Sequence, residues 1–132
     1  MRRNISATFI DSAMESFAFL TTEGYGTPEV DRQHHSITFR CPDHSIEIGY
    51  DPREDYVASI VSAKVGDRNP IASVPCLYVA AKLGVAQDIK SKILTLHSLA
   101  AALESHASAI RKLLPVLKSM ERDRLLLGCH GR

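Results

Sequence analysis

Two alternating segments, separated by four residues, constrain the fold of this chain more than any other feature. Apolar and polar residues alternate in 36–40 and again in 45–50, so each segment places its apolar side chains on one face of a strand. A hairpin keeps both apolar sets on the same side only if its loop has an even number of residues. Residues 41–44 meet this condition, and Pro42 fits the second position of a type I turn. The predicted cross-strand pairs are Arg40 with Ser45, Phe39 with Ile46, and Ile37 with Ile48.

The same spacing recurs directly after this hairpin. Residues 51–54 predict a second four-residue turn, and a third strand follows from residue 55 to about 65. The predicted pairs are Tyr50 with Asp55 and Ile48 with Val57. Val57 and Val61 would be buried, but the opposite face of the strand carries Tyr56, Ala58 and Ile60. A strand that is apolar on both sides is either central and covered twice, or covers a partner.

Helical periodicity lies on both sides of the predicted strands. An apolar stripe predicts a helix over residues 4–22, and Gly24 and Gly26 would end it. A second helical pattern covers about residues 71–83, and a heptad-like seam runs from Ile93 to Leu117. Pro115 predicts a kink or break near Leu113 or Leu114, because proline lacks an amide hydrogen and clashes with the preceding turn. A short last helix is predicted to end near Leu127, with residues 128–132 frayed.

These elements predict one α+β domain over residues 1–132. The expected order is an N-terminal helix, an antiparallel meander of three to four strands, and C-terminal helices packed on the sheet. The fourth strand would be a weak one around residues 28–33. The predicted core consists of Phe9, Ala13, Phe17, Leu20, Ile37, Phe39, Ile46, Ile48, Val57, Val61, Leu77, Ile93, Leu96, Leu103 and Ile110.

Composition and charge narrow the classes of function. Hydrophobic residues make up 45% and charged residues 23% of the chain, which is typical of globular proteins. No stretch reaches the roughly 20 apolar residues that cross a bilayer, and the N-terminus lacks a signal-peptide pattern. We therefore expect no membrane partner and a cytoplasmic location. Residues 1–85 carry 8 Lys/Arg against 11 Asp/Glu, and residues 86–132 carry 8 against 4, an asymmetry too small for a dedicated nucleic-acid binder.

The cysteines and histidines predict neither a disulfide framework nor a metal site. Three widely spaced cysteines are expected to be reduced, with Cys76 packed as a small apolar side chain. Cys41 and His44 have a spacing found in zinc sites. His35, however, lies roughly 20 Å from Cys41 along a strand, and nothing in the sequence places Cys129 or His130 nearby. We therefore expect polar loop residues here, and no metal or other cofactor.

No catalytic residue is predicted. His97 and His106 lie nine residues apart, on opposite faces of the long helix, and each is expected at the boundary of the core. Cys76 has no histidine near it in sequence, and its apolar neighbours would raise the pKa of its thiol. A small enzyme remains an alternative, because catalytic groups can converge from distant positions.

The densest charge cluster lies in the second predicted turn. Its charged residues are Asp51, Arg53, Glu54 and Asp55. A turn that contains proline is expected to be a solvated tip, and the alternative is an edge that binds a partner. With Tyr56 and Ile60 on the outer face of the following strand, these residues are the candidate binding site.

Part of the chain resembles a group of small bacterial proteins. Residues 17–61 combine Phe-Ala-Phe-Leu, then Gly24-Tyr25-Gly26, then alternating strands joined by a Tyr-Asp-x-Arg turn at 50–53. This layout resembles small uncharacterised bacterial α+β proteins, some of which are similar to immunity proteins of polymorphic toxin systems. Phe usually follows the Tyr-Gly pair there, whereas this chain has Thr27. The resemblance implies a helix–sheet–helix scaffold without known catalytic residues.

The functional expectation is therefore a non-enzymatic protein-binding module, of the kind represented by immunity-type inhibitors of toxins. The acidic turn would attract a basic partner. Self-association through the heptad-like seam is the alternative way to cover apolar surface. Weak nucleic-acid binding through the basic C-terminal segment is a further alternative, disfavoured because no aromatic residue there could stack on bases. That segment carries Arg111, Lys112, Lys118, Arg122 and Arg124.

Overall fold

The fold is that of a computed structural model, which describes the backbone of residues 2–132 and the side chains of residues 5–132. The helices are α1 (Arg2–Ser16), α2 (Val74–Ala80), α3 (Leu96–Leu117) and α4 (Glu121–Cys129). The strands are β1 (Glu29–Asp31), β2 (Ser36–Arg40), β3 (His44–Asp51), β4 (Tyr56–Ala63) and β5 (Ile71–Ser73). No helix in this part of the chain has the length and apolar character needed to cross a membrane.

The five strands form one antiparallel meander in the order β1-β2-β3-β4-β5. The α+β class, the N-terminal helix and the C-terminal helices are confirmed. The weak strand expected near residues 28–33 is β1, so four of the strands match the prediction. The fifth does not, because Ile71–Ser73 pairs with β4 where a helix was expected to begin. The helix starts only at Val74, where the Ser73 side chain accepts a hydrogen bond from the Cys76 amide and Pro75 occupies the first turn.

The hairpin of β2 and β3 has the predicted register. Phe39 pairs with Ile46, and Ile37 pairs with Ile48. All four side chains are buried, at 0–1% exposure. The amide of Cys41 donates to the His44 carbonyl at 3.0 Å and closes the turn between the strands.

The next hairpin differs from the prediction by two residues. Tyr50 pairs with Val57, and not with Asp55, because the four-residue turn comprises residues 52–55 and not 51–54. The Asp51 carboxylate accepts a hydrogen bond from the Arg53 amide at 2.9 Å, which makes Asp51 the residue that starts the turn. A register shift of two residues preserves the face of every side chain. Val57 is therefore buried as predicted.

The four helices pack as one layer against one face of the sheet. In this layer α1 lies against α3, and α2 contacts both α3 and α4. The ring centroids of Phe9 and Tyr50 are 5.9 Å apart where α1 meets β3. Every residue of the predicted core is buried except Leu96, which is 46% exposed. Leu96 follows the capping residue Thr95 in the first turn of α3, and Leu99 takes the inward position instead.

The N-terminal helix ends earlier than expected. Regular α-helix stops at Ser16, and a separate wide helical turn covers Thr21–Tyr25. Gly24 and Gly26 end this turn at φ 98° and 67°, which is the backbone region that favours glycine. The turn carries the Tyr25 side chain into the core, where it is 2% exposed.

The structure contradicts the expected break in the long helix and the expected fraying of the C-terminal residues. The long helix does not break near Leu113 or Leu114, because α3 continues through Pro115 and ends two residues later. The chain after Leu127 is not frayed: α4 extends to Cys129, and the Gly131 amide donates to the Ile71 carbonyl at 2.9 Å.

The cysteine prediction is wrong for two of the three thiols. Cys76 in α2 and Cys129 in α4 form a disulfide with Cα atoms 6.0 Å apart, and Cys41 remains free. The two residues are separated by 53 positions, so only the packing of α2 against α4 brings them together. The bond ties the end of the chain to the helix that follows β5.

Candidate functional site

One face of the sheet carries no helix in the described part of the chain. We call it the open face, and its residues are Glu29, Asp31, Ser36, Thr38, Arg40, Ser45, Glu47, Gly49, Asp51, Tyr56, Ala58, Ile60, Ser62, Ile71 and Ser73. Burial alternates along β4, with Val57, Ser59 and Val61 inward and Tyr56 and Ala58 exposed. The second apolar side of β4 is therefore not covered by a helix of the same chain.

The open face combines apolar and acidic side chains. Tyr56 is 45% exposed and Ile71 is 47% exposed, with half-buried Ile60 between them on β4. Four carboxylates share the face with one basic side chain, and a second basic residue borders it. The acidic residues are Glu29, Asp31, Glu47 and Asp51, and the basic one is Arg40. The bordering residue is Lys92, which is paired across from Tyr56.

Glu47 occupies the centre of the open face. It lies in one cross-strand row between Thr38 on β2 and Ile60 on β4. At the margin of the sheet Glu29 forms an ion pair with Arg40. No ion-pair partner is found for Glu47 among the described residues. Glu47 was absent from the predicted site, although its position between inward Ile46 and Ile48 places it on the outer face.

The predicted acidic turn divides into an exposed part and a buried part. Arg53 and Glu54 are exposed, and Asp51 is half-buried beside them. Asp55 is only 5% exposed, and the Tyr50 hydroxyl donates to its carboxylate at 3.4 Å. Its φ of 50° closes the turn in the left-handed region. The expectation that Asp55 belongs to a solvated tip is therefore wrong.

The outer edge of β4 is not free for a partner strand. Close to the turn, the Val57 amide donates to the Ser91 carbonyl and the Ile93 amide donates to the Asp55 carbonyl, each at 2.8 Å. The Lys92 ammonium donates to the Glu54 carbonyl at 2.8 Å. Farther along, β5 pairs with the same edge. Tyr56 and Ile60 are thus available through their side chains on the open face, and not through the strand edge.

His106 lies inside the core and not at its boundary. Nδ1 of its ring is 2.6 Å from Ser59 Oγ, and Nε2 is 3.1 Å from Ser91 Oγ. Burial lowers the pKa of His106 to about 4, so the ring is neutral near pH 7. His97, the other histidine of α3, is exposed. Both ring nitrogens of His106 are occupied, which makes it a connector of elements and not a catalytic base.

The turn between β2 and β3 brings three metal-ligating side chains together. Nδ1 of His44 lies 2.8 Å from Asp43 Oδ1 and 3.2 Å from Cys41 Sγ, and the same sulfur is 3.2 Å from Asp43 Oδ1. We call Cys41, Asp43 and His44 the turn cluster. His44 is 6% exposed, so the expectation of polar loop residues is wrong for this histidine.

Burial and charge set the protonation of the turn cluster. Burial lowers the pKa of His44 and raises the pKa of the Cys41 thiol. Hydrogen bonds from His44 and Cys41, together with the Arg122 guanidinium at 3.1 Å, lower the pKa of Asp43 to about 2. The cluster is therefore a neutral thiol and a neutral imidazole beside an ionised carboxylate. A neutral thiol is a weak nucleophile, which disfavours covalent catalysis by Cys41.

Tyr25 fixes the other side of the His44 ring. Its hydroxyl oxygen lies 2.6 Å from His44 Nε2, and the two rings meet edge to face with centroids 5.3 Å apart. Burial raises the pKa of Tyr25, so the hydroxyl keeps its proton. Tyr25 is 19 positions before His44, and sequence patterns give no reason to pair them.

The basic residues of the C-terminal segment are engaged within the chain. Arg111 stacks over the Phe19 ring at 4.2 Å, and Lys118 pairs with Glu23 at 2.7 Å. The remaining contacts are Arg122 with Asp43 and Asp123, Arg124 with Glu121, and Lys112 over the Tyr78 ring. These contacts compete with phosphate binding at the same cations.

No protein-family model, no curated protein and no solved structure matches this chain. The function is therefore inferred from the residues and their geometry.

Proposed function

We propose that this chain is a non-enzymatic protein-binding module that docks a basic protein on the open face of its sheet, in the manner of an immunity-type inhibitor. The observation that carries the proposal is the uncovered face with Tyr56 exposed and Glu47 unpaired among the described residues. Tyrosine is enriched at binding hot spots, because it offers a large apolar area and a polar tip. A carboxylate next to it selects a partner of opposite charge.

The size of the open face is compatible with a specific interface. Five strands spaced about 4.8 Å apart span about 19 Å, and the eight residues of β3 or β4 extend about 27 Å. The exposed turn residues Arg53 and Glu54 enlarge this area at one end. The strands supply at most about 500 Å² of flat area, because β1 and β5 have only three residues each, so an interface of the standard size of about 800 Å² on each partner would also need the rim.

Three alternatives have less support. Self-association through the heptad-like seam would need its apolar residues exposed, but only Leu96 and Ala100 are exposed and the others pack inside the chain. The eight seam residues are Ile93, Leu96, Ala100, Leu103, Ala107, Ile110, Leu114 and Leu117. An enzyme that uses Cys41 and His44 would need an activated thiolate, whereas the pKa of the thiol is raised. Nucleic-acid binding is disfavoured by the internal contacts of the C-terminal cations.

The proposal includes a cytoplasmic location, and one observation opposes that location. The Cys76–Cys129 disulfide would be uncommon in a reducing cytosol. Fractionation of native cells, followed by immunoblotting under non-reducing conditions, gives both the compartment and the redox state. A reduced protein in the cytosolic fraction would support the proposed location, and an oxidised protein in another fraction would contradict it.

The binding proposal is tested with variants matched for exposure. Tyr56→Asp and Glu47→Lys alter the open face, whereas Val79→Asp alters a residue of α2 that is also 45% exposed. Each immobilised protein is incubated with native extract at two ionic strengths, and bound proteins are quantified by mass spectrometry. We expect wild type and Val79→Asp to bind a basic protein that the other two variants do not bind. Higher ionic strength should weaken this binding.

Two results would overturn the binding proposal. In the first, all four baits recover the same proteins in the same amounts. In the second, light scattering gives the wild-type protein the mass of a dimer and Tyr56→Asp the mass of a monomer, which would make a second copy the occupant of the open face.

A further inference from the structure

We propose that the turn cluster binds one zinc-class divalent metal ion through Cys41 Sγ, Asp43 Oδ1 and His44 Nδ1. The three ligand atoms lie within 4.8 Å of one another. Cys41 and His44 alone supply two ligands, and the other histidines and cysteines of the chain lie outside this turn in the sequence. Asp43, between the cysteine and the histidine, supplies a third ligand from the same turn. The turn cluster adjoins one end of the open face, because the cleft that it lines also contains Arg40 and Ser45, but its three ligand atoms are not part of the proposed protein-binding surface.

The geometry of the turn cluster is close to that of a metal site. The three interatomic distances are 2.8, 3.2 and 3.2 Å. Metal–ligand bonds of about 2.0–2.3 Å at tetrahedral angles separate ligand atoms by about 3.3–3.7 Å. Each pair therefore has to widen by about half an ångström. The backbone hydrogen bond from Cys41 to His44 holds the turn while the side chains adjust.

Neighbouring residues orient two of the ligands. Arg122 binds Asp43 Oδ2 at 3.1 Å, which leaves Oδ1 directed at the other two ligand atoms. Tyr25 contacts Nε2 of His44 at 2.6 Å, which leaves Nδ1 directed into the cluster. When Nδ1 binds a metal, Nε2 carries the ring proton and donates a hydrogen bond to the Tyr25 oxygen. Such outer contacts fix the tautomer of a histidine ligand.

The set of donor atoms selects the class of metal. One sulfur, one imidazole nitrogen and one carboxylate oxygen suit Zn²⁺ and its surrogate Co²⁺, whereas Mg²⁺ and Ca²⁺ prefer oxygen ligands alone. Binding releases the Cys41 thiol proton to solvent, so affinity should rise with pH. All three ligands line a cleft of about 620 Å³ that also contains Ser45 and Asn69. A water molecule from this cleft would complete a four-coordinate ion.

Cobalt titration of the full-length protein tests the site. In non-reducing buffer Cys41 is the only free thiol, because the other two cysteines are joined. A thiolate-to-cobalt charge-transfer band therefore reports on Cys41 alone. We expect one Co²⁺ per chain, displacement by Zn²⁺, and loss of the band in Cys41→Ser. Circular dichroism and thermal unfolding verify that each variant is folded.

The chain contains a matched control. His34 and Asp31 form an exposed pair with the same 2.8 Å distance but no cysteine beside them. His34→Asn should bind Co²⁺ like wild type, whereas His44→Asn should not. The Tyr25→Phe variant should bind Co²⁺ about tenfold more weakly than wild type, because the substitution removes the hydroxyl that contacts Nε2 of His44.

Three outcomes would overturn the proposed metal site. The first is cobalt binding without a charge-transfer band. The second is wild-type affinity in Cys41→Ser. The third is an affinity for Co²⁺ that falls in His34→Asn but is unchanged in His44→Asn.

Discussion

Nδ1 of His106 lies 2.6 Å from Oγ of Ser59, 47 positions earlier in the chain. The contact joins α3 to the central part of β4 inside the core. Ser91 holds the second ring nitrogen at 3.1 Å and connects the segment that borders β4. A buried histidine with both nitrogens bonded is stable only as the neutral ring, since protonation would place an uncompensated charge in the core.

The protein should therefore lose stability in mild acid. The pKa of His106 is lowered from 6.5 to about 4 in the folded state. The contribution of the neutral His106 ring to the free energy of unfolding is fully present above pH 6.5 and is lost as the pH falls from 6.5 towards 4. The shift corresponds to about 3 kcal/mol of unfolding free energy. Urea denaturation at pH 7, 5.5 and 4.5 measures the loss.

A variant isolates the histidine from other titrating groups. The pKa of His44 is also lowered by burial, so it adds a loss in the same direction. His106→Gln should be less stable than wild type at pH 7 but lose less stability between pH 7 and 4.5. Equal pH dependence in both proteins would contradict the role given to His106.

Breaking the disulfide should destabilise the fold without changing the sheet. A cross-link between residues 53 positions apart is worth about 4 kcal/mol through the entropy of the unfolded chain. Cys76→Ala/Cys129→Ala should melt at a lower temperature than wild type in non-reducing buffer. In reducing buffer the two melting temperatures should converge. If reductant left the wild-type melting temperature unchanged, the disulfide would contribute nothing to stability.

Asp55 should matter more for stability than its neighbour in the turn. Asp55→Ala places a residue without a side-chain acceptor at φ 50° and removes the hydrogen bond that Asp55 accepts from the Tyr50 hydroxyl. We expect a loss of about 1–3 kcal/mol. Glu54→Ala is the control, since Glu54 is exposed and should change stability by less than about 0.5 kcal/mol. Urea denaturation at pH 7 compares the two variants, and equal effects would show that the buried position of Asp55 is unimportant.

The sheet could be predicted because its signals are local. Alternation in β2 and β3 and an even loop length fix which side chains face each other, and Phe39 opposite Ile46 follows directly. The second turn lies one residue later than predicted. The side-chain hydrogen bond of Asp51 and the left-handed backbone of Asp55 favour this position over the predicted pairing of Tyr50 with Asp55. The hydrophobic pattern does not detect this error, because both registers bury Val57.

The site contacts could not be predicted because they join distant positions. Tyr25 and His44, Ser59 and His106, and Cys76 and Cys129 are each brought together by helix packing. The turn cluster is different: all three of its ligands lie within four residues. The signal in the sequence is the carboxylate of Asp43 between the cysteine and the histidine. Glu47 could also have been predicted as a residue of the open face, because the predicted register already places its side chain outward.

The central claim is that another protein covers the open face in the cell. Site-specific photo-cross-linking tests it most directly, with benzoylphenylalanine placed at position 56 or, as the control, at position 79, which is equally exposed on α2. Irradiation of native cells should give a cross-linked product with a different, basic protein from position 56 and none from position 79. No product from position 56, or the same product from both positions, would contradict the account.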